Sequence, residues 1–464
     1  MRINRTDLSK TPEAKSSTTE RTLTRRQLLT QTALLIGAAA VAKAPSGQAL
    51  AATPPAVSKR APVTIEFWDP DDRPGHKEAK LELFKDFETF TKGEIKISQT
   101  ITTWDNQHQK VQAAFAAKRL PDVISVTDGF PFTYYKQGIT QEITSLAKEI
   151  GLSDFYKNEL DTTTYEGKIL ALPHFTVVHV LWYRKDWLDE KGVNPPKTWD
   201  EYREAAKALH DPARKRNGVL LWGSGDIAVS MALMAGRGAA LITKDRKPGL
   251  NTPESIEVLE FLRSLFPYAN PDLPSVMPGQ SRLLFAGGAG AMLTQGSSTM
   301  QTIASAGMDK VDLFKAMPVP VKTGTQPVWT GMGDPNYLLL TANAKPEAKE
   351  FFKFFYSKDP YFKYASGDAL GWLPVLKSTR ENPKYYEVPR IKPFTAQLKA
   401  CQAALERYVL SGFEYGPNFE TGFVRSGDVP QKMVQKLYVE KNLTPKEVAD
   451  WGQKEAERLI KENI

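Results

Sequence analysis

The sequence predicts an α/β protein built on an open, mostly parallel sheet with helices on both faces. Three observations carry this. Short runs of period-two alternation trade places with longer runs of helical period from residue 62 onward. Later helix starts carry explicit caps, and one extended apolar segment, residues 172–183, leaves a Leu-Pro step and ends at a turn and a capped helix. Strand, helix and strand in this order are the mark of layered α/β architecture.

The elements follow in sequence. Val63-Thr64-Ile65-Glu66-Phe67-Trp68 alternates with period two, and residues 77–90 place Leu81, Phe84, Phe87 and Phe90 on one helical stripe. Ile95-Lys96-Ile97 is strand-like again; residues 106–119 read as a helix with Val111, Ala114 and Phe115 inward, and Val123-Ile124-Ser125-Val126 follows as a strand. Further on, Thr198-x-x-Glu201 and Thr444-Pro445-Lys446-Glu447 are capping boxes, in which hydroxyl and carboxylate each satisfy an orphan backbone donor. Thr252-Pro253 and Lys345-Pro346 open two more helices with proline near the first helical position. Phe351, Phe352, Phe354 and Phe355, at helical spacing after Pro346, form a core face rather than a cofactor box. There is no internal repeat.

The N-terminus is expected to be removed. Thr24-Arg25-Arg26-Gln27-Leu28-Leu29 resembles a twin-arginine export motif, with Thr and Leu where Ser and Phe are commoner. An apolar run at 33–42 follows, far short of the roughly 20 residues that span a bilayer. Small residues at Ala49-Leu50-Ala51 then mark a cleavage point, giving a signal peptide over 1–51 and a Pro/Ala-rich tether over 52–61. Eight basic residues and three acids leave with the signal, so the formal +8 of the chain falls to about +3. That removes most of the support for nucleic-acid binding. The 413 residues that remain suffice for two or three domains at roughly 150 residues each. With Cys401 as the one thiol there is no disulfide framework, no Cys-rich metal site and no cysteine lipid anchor behind the signal.

In an open α/β sheet, ligands collect beyond the carboxyl ends of the strands. Past the first three strands stand Trp68-Asp69, Thr103-Trp104-Asp105 and Thr127-Asp128-Gly129-Phe130, an aromatic close to a carboxylate each time. That pairing suits a sugar or polyol, whose ring CH face packs on an aromatic while hydroxyls donate to carboxylate oxygens. The alternative is that Trp68 and Trp104 are half-buried packing residues and the acids are solvated turn formers.

Several motifs together resemble the extracellular solute-binding proteins, family 1, that serve ABC importers. They are Leu172-Pro173-His174-Phe175 running to Tyr183-Arg184-Lys185-Asp186 and Pro195-Pro196-Lys197-Thr198-Trp199; Pro121-Asp122-Val123 with Tyr134-Tyr135-Lys136-Gln137-Gly138-Ile139; Phe285-Ala286-Gly287-Gly288-Ala289-Gly290-Ala291-Met292; the segment 331–348; and Gly371-Trp372-Leu373-Pro374-Val375. Their order and spacing over about 350 residues carry the resemblance. It implies a two-lobed periplasmic-binding-protein fold of the class II type, each lobe a mostly parallel sheet flanked by helices, with a hinge between the lobes. Lobe I is expected at 62–173 plus 332–358 and lobe II at 174–331 plus 359–464. The implied function is capture of a carbohydrate, mono- or oligosaccharide, in the cleft, and delivery to the membrane permease subunits from the periplasm. The protein is then a monomer, not an enzyme, and carries no cofactor.

Closure requires contacts from both lobes. The resemblance adds His174 and Phe175 past the first crossing, Trp222 and Asp226, Gln295 to Ser297, Trp329 and Asp334 around the return crossing, and Trp372, Glu414, Tyr415 and Asn418 as residues that close over the cleft. Trp222 stands first among these, since a Gly-rich loop lets an indole stand clear of the backbone. A twin-arginine signal implies folding before export and hence room for a cofactor loaded in the cytoplasm. The five histidines offer little to load, because His174 and His179 lie five apart in a strand-like run and point to opposite faces. No Gly-x-Ser-x-Gly, His-Glu-x-x-His or phosphate-loop motif is present. A secreted glycosidase stands as the alternative of another class, needing only two carboxylates across a sugar. Within the binding-protein class the alternatives are a polyamine or a phosphorylated polyol.

Overall fold

β-branched and aromatic side chains at every second position suit a pleated, half-buried surface, and residues 63–69 accordingly form the first strand. The computed structural model describes residues 61–463, apart from 72–73, 104–105, 128, 224–227 and 368–369. The export signal expected at 1–51 and all but the last residue of the expected tether lie outside the described residues.

Strand β1 (Val63–Asp69) is followed by helix α1 (Pro74–Phe90), β2 (Ile95–Ile101), α2 (Gln107–Ala116), β3 (Val123–Thr127) and α3 (Phe130–Lys136). β1 pairs in parallel with both β2 and β3, which is the expected opening. The apolar stripe of α1 is displaced from expectation: Leu83, Phe84 and Phe87 are buried, whereas Leu81 and Phe90 are exposed. Leu81 falls on the flank of the face that holds Phe84, about 60° round the helix at 3.6 residues per turn. Phe90 sits at the helix end, against Phe354 with centroids 5.1 Å apart. On α2, Val111 is buried but Phe115 is exposed.

A short hairpin, β4 (Thr164–Tyr165) and β5 (Lys168–Ile169), precedes the long strand β6 (Leu172–Arg184). Then come β7 (Met292–Gly296), β8 (Phe314–Met317), β9 (Gly331–Leu340) and β10 (Tyr408–Leu410). The main sheet runs β2-β1-β3-β9-β6-β7, with β10 also on β9 and β8 also on β6. This sheet is mixed, a correction to the mostly parallel arrangement expected. Parallel pairing is confined to β1–β2, β1–β3 and β9–β10; β3–β9, β6–β9, β6–β7 and β6–β8 are antiparallel. The cause is the two long strands, which run side by side in opposite directions. β6 pairs with β9 from Leu172 to His179 and with β7 from His179 to Tyr183.

Hydrophobic packing divides along these two strands. Phe67, Phe84, Phe87, Phe175, Leu338, Phe351, Phe352 and Phe355 share one cluster, which bears out the core reading of the phenylalanine run. A larger cluster gathers Val178, Leu181, Trp182, Trp222, Leu293, Met332 and the later helices. The pleat sends alternate residues of β3 and β9 to a third cluster, with Val111, Ile124, Val126, Tyr134, Tyr337 and Leu339. The helix Lys358–Ser366 contributes Tyr361 and Tyr364 to the Phe67 cluster, not to the larger one. Both capping boxes form: the Glu201 amide donates to Thr198 Oγ1 at 3.3 Å and the Glu447 amide to Thr444 Oγ1 at 3.2 Å. No described helix is long and apolar enough to cross a membrane.

Candidate functional site

The carboxyl end of β1, the start of α1, the middle of β6 and β9, and the turn at 371–373 meet in one place. Strand register explains why. Thr127 on β3, Asn336 on β9 and Phe175 on β6 lie directly opposite one another, so their side chains share one face of the sheet. The pleat puts Asp69 on that face with Phe67, and Trp68 on the other.

Asp69 is buried and its carboxylate is fully engaged. Oδ2 accepts from Lys80 Nζ and from Gln99 Nε2 at 3.1 Å, and Oδ1 accepts from the Asp71 amide at 3.2 Å. Burial pushes the Asp69 pKa above the usual carboxylate value, and the Lys80 ammonium opposes that shift. Asp71, also buried, meets His76 Nδ1 at 2.8 Å. His76 and Lys80 are four positions apart, which places both on one face of α1.

An aromatic wall stands beside these charges. Trp372 stacks on Phe175 with centroids 3.6 Å apart and planes 7° from parallel, and the His76 ring lies 3.6 Å from its centroid on a 45° tilt. Lys80 Nζ sits 5.0 Å from the Trp372 ring centroid. His174 is held by Tyr364 OH at Nδ1 (3.0 Å) and Ser125 Oγ at Nε2 (3.2 Å). Burial, reinforced by Lys80, keeps its pKa well below the usual imidazole value, so the ring is neutral. The bulge between Pro173 and Phe175 gives His174 this inward aim.

Ser297 joins the second cluster's strand to this wall. Its amide donates to the Val178 carbonyl at 2.9 Å and its hydroxyl to the Gly371 carbonyl at 2.6 Å. Gly371 has φ +90°, and a Cβ there would stand 2.8 Å from Ser298 Cα, so the turn needs glycine twice over. Leu373 and Thr176 exchange both backbone hydrogen bonds, at 3.0 and 2.9 Å, which fixes Trp372 against β6. Asn336 is buried, and its Oδ1 has no hydrogen-bond partner among the described residues.

Of the expected site residues, the structure therefore brings Asp69, His174, Phe175, Ser297 and Trp372 together, with Asp334 close by on β9 opposite Val177. It does not bring Trp68 or Phe130 there. Trp68 packs half-buried on the third cluster, and Phe130 stacks on His108 and Tyr134 at 5.0 and 5.4 Å on that same side. Trp222 does not stand clear of its loop: it is 1% exposed inside the larger cluster, because the Gly223 amide bonds to the Leu273 carbonyl and holds the segment down. Trp329 packs on the same cluster, and Tyr415 is 61% exposed. Trp104, Asp128 and Asp226 lie outside the described residues. Asp71, His76, Lys80, Tyr364 and Asn336 were not anticipated. The spacing Asp69-x-Asp71 followed by His76-x-x-x-Lys80 was the available signal. Among the described residues, no group of three or more His, Cys, Asp or Glu is placed to hold a metal ion.

Asp69, Asp71, His76, His174, Phe175, Ser297 and Trp372 are each at most 3% exposed. The arrangement is a closely packed polar cluster against an aromatic wall, with a cavity of only about 10 Å³ beside Lys80, His174 and Tyr364.

Known proteins share this architecture. A solute-binding protein of Thermotoga lettingae bound with α-D-tagatose superposes with a TM-score of 0.72 at 20% identity, over 86% of this chain and 100% of that one. One from Agrobacterium radiobacter K84 in complex with ribitol gives 0.72 at 23% identity, over 86% and 98%. In sequence, the maltotriose-binding protein of Pyrococcus abyssi is 25% identical over 289 residues, spanning 61% of this chain and 61% of that relative's length. The family profile of bacterial extracellular solute-binding proteins matches residues 73–361, which include the whole of β6 and β9 and His76, Lys80, His174, Phe175, Ser297 and Asn336 of the site. With that match over more than half its length, the chain belongs to the bacterial extracellular solute-binding protein family.

Proposed function

We propose that this protein captures a neutral carbohydrate between two lobes and delivers it to the membrane permease of an ABC importer. The observation that carries this reading is the buried cluster at the strand crossing, in which an aromatic wall faces charges already compensated in pairs; parting of the lobes would open it to a solute. Lys80 is committed to Asp69, and Asp71 to His76. A phosphorylated solute would call for a free cation there and a polyamine for free acids, so the pairing favours hydroxyl groups over either. Similar proteins hold tagatose and ribitol, and one is a maltotriose-binding protein, which agrees in kind.

Packing supports the following lobe bounds as part of this proposal. Residues 62–173 and 332–358 form the first, as the sequence suggests, and 359–376 join it, since Tyr361, Tyr364, Val375 and Leu376 pack with Phe67 and Phe351. Residues 174–331 and 377–464 form the second. β6, β9 and the turn at 371–373 are then the three crossings, and solute enters when hinge bending parts the lobes. The signal at 1–51 places the mature protein in the periplasm by the twin-arginine route, as a monomer that meets the permease with its lobes closed. No step of this account involves catalysis.

A thermal-shift screen of the protein from residue 52 tests the function. Sugars, polyols, sugar phosphates and polyamines form the panel. A ligand at about 100 times its dissociation constant adds about 2.7 kcal/mol of stability. Neutral sugars are expected to raise the unfolding temperature; a response confined to amines or phosphates would overturn the solute class.

A further inference from the structure

Residues 411–422 leave β10 and enter the helix Glu420–Ser426 as a compact strap. The Thr421 hydroxyl donates to the Gly412 carbonyl at 2.9 Å, and Asn418 Oδ1 accepts from the Thr421 amide at 2.8 Å. Gly412 has φ +89°, and a Cβ there would stand 2.2 Å from Thr421 Oγ1, so this closed loop requires glycine. Tied to itself in this way, the strap moves as one piece.

Its two sides are held differently. Toward the second lobe the bonds are polar. β10 is paired with β9 at residues 331–333, Arg246 Nη1 donates to the Pro417 carbonyl at 2.9 Å, and Arg246 Nε lies 3.4 Å from Glu420 Oε2. Toward the first lobe the contact is made by rings. Phe413 meets Phe132 of α3 edge-on with centroids 5.1 Å apart, Phe419 lies 5.2 Å from Tyr165 of the β4–β5 hairpin, and Lys136 Nζ sits 4.5 Å from the Phe419 centroid. Phe132, Leu170, Leu410 and Phe413 form a cluster of their own, rimmed by Tyr135, Tyr165 and Phe419 and separate from the three larger ones. The backbones come close through Gly422, where a Cβ would stand 2.4 Å from Thr133 Oγ1.

Among the described residues, no hydrogen bond or ion pair joins 411–422 to 129–136 or to 163–170. A contact of rings and methylenes parts without leaving a buried donor or acceptor unmatched, whereas the Arg246 contacts do not. When the lobes separate, the strap therefore stays with the second and its aromatic face comes off the first. Phe413 and Phe419 make their ring contacts with Phe132 and Tyr165 and not, among the described residues, with His174, Phe175 or Trp372. The strap thus acts on closure rather than on the solute.

We propose that residues 411–422 are a latch, in which Phe413 and Phe419 dock on Phe132 and Tyr165 and so set the fraction of solute-free molecules whose lobes are closed. The proposal rests on the two-lobed binding reading and adds to it what governs closure. Its test needs no solute. Cys401 is buried, so Ala113→Cys and Glu260→Cys, at exposed positions on opposite lobes, accept spin labels in the protein from residue 52, and pulsed dipolar spectroscopy reads the distance between them. Phe419→Ala and Tyr165→Ala are each expected to lower the short-distance fraction at least fivefold, the double variant to add little to either, and Phe419→Tyr to retain the wild-type distribution. Since the apparent dissociation constant is the intrinsic one divided by the competent fraction, affinity for the sugar that most raises the unfolding temperature falls by the same factor in both alanine variants. An unchanged distance distribution in both, or a loss of affinity without a change of distance, overturns the latch. Absence of binding by every sugar overturns the carbohydrate reading, while the distances still decide the latch. Circular dichroism matching wild type verifies that the variants are folded.

Discussion

Replacing Lys80 by methionine leaves the Asp69 carboxylate in the interior without its cation. The two side chains are 3% and 1% exposed, so neither is stabilised by bulk water. Removing one partner of such a buried pair costs about 3–5 kcal/mol, because the remaining charge is desolvated and uncompensated. Asp69 keeps the Gln99 amide at 3.1 Å and the Asp71 N–H at 3.2 Å, which places the expected loss near the lower end, about 3 kcal/mol. Urea unfolding followed by tryptophan fluorescence measures it as a lowered midpoint at pH 7. The loss also has a definite pH dependence. Burial already raises the Asp69 pKa above 3.8, and without Lys80 it rises further. Between the unfolded value and the raised folded value, the folded variant binds a proton that the unfolded chain releases, so stability increases as pH falls through that window. The deficit of Lys80→Met relative to wild type therefore shrinks from pH 7 toward pH 4, and Asp69→Asn combined with Lys80→Met is more stable than Lys80→Met alone at pH 7. A deficit below about 1 kcal/mol, or one that stays constant on acidification, would refute a buried, charge-compensated pair.

Three further outcomes follow from the same contacts. The His174 pKa is depressed by burial and then by Lys80, so the unfolded chain binds more protons there below pH 6.5 and the wild-type protein loses stability as pH falls through that value. His174→Gln should flatten the slope of urea midpoint against pH between 6.5 and 5; an unchanged slope contradicts a buried neutral imidazole. Gly371→Ala forces a Cβ toward the Ser298 backbone at φ +90°, and calorimetric unfolding should show a loss of at least about 1–3 kcal/mol. Trp222→Ala empties a site that is 1% exposed and should destabilise by about 3–5 kcal/mol in urea; a loss under about 1 kcal/mol would mean that the indole is not in the core.

Much of the fold was legible because the relevant signals are local. Period-two alternation marked Val63 to Trp68, caps marked Thr198 and Thr444, and the Leu-Pro step at 172–173 marked the start of the crossing strand. Sheet direction was not legible, because whether β9 lies parallel or antiparallel to β3 depends on the path of 200 intervening residues. The site was only half legible for related reasons. Asp69 was found through its place at a strand end, but period two alone sends Trp68 to the opposite face, and that constraint was available in the sequence. Lys80 and His76 are ordinary residues of an amphipathic helix until the helix is laid over β1. Trp222 misled because glycine on its flank reads as exposure, whereas here the Gly223 amide anchors the segment to Leu273. Asn336 has no local signature: it acquires one when β3, β9 and β6 bring Thr127, Asn336 and Phe175 into register.

The central claim is that a neutral sugar binds at the strand crossing. Its most direct test is calorimetric titration of the protein from residue 52 with the sugar that most raises its unfolding temperature, for wild type, Asn336→Ala and Trp372→Ala. The account predicts saturable binding by wild type and at least tenfold weaker binding by both variants. Wild-type affinity in both variants, with circular dichroism showing an intact fold, would contradict it.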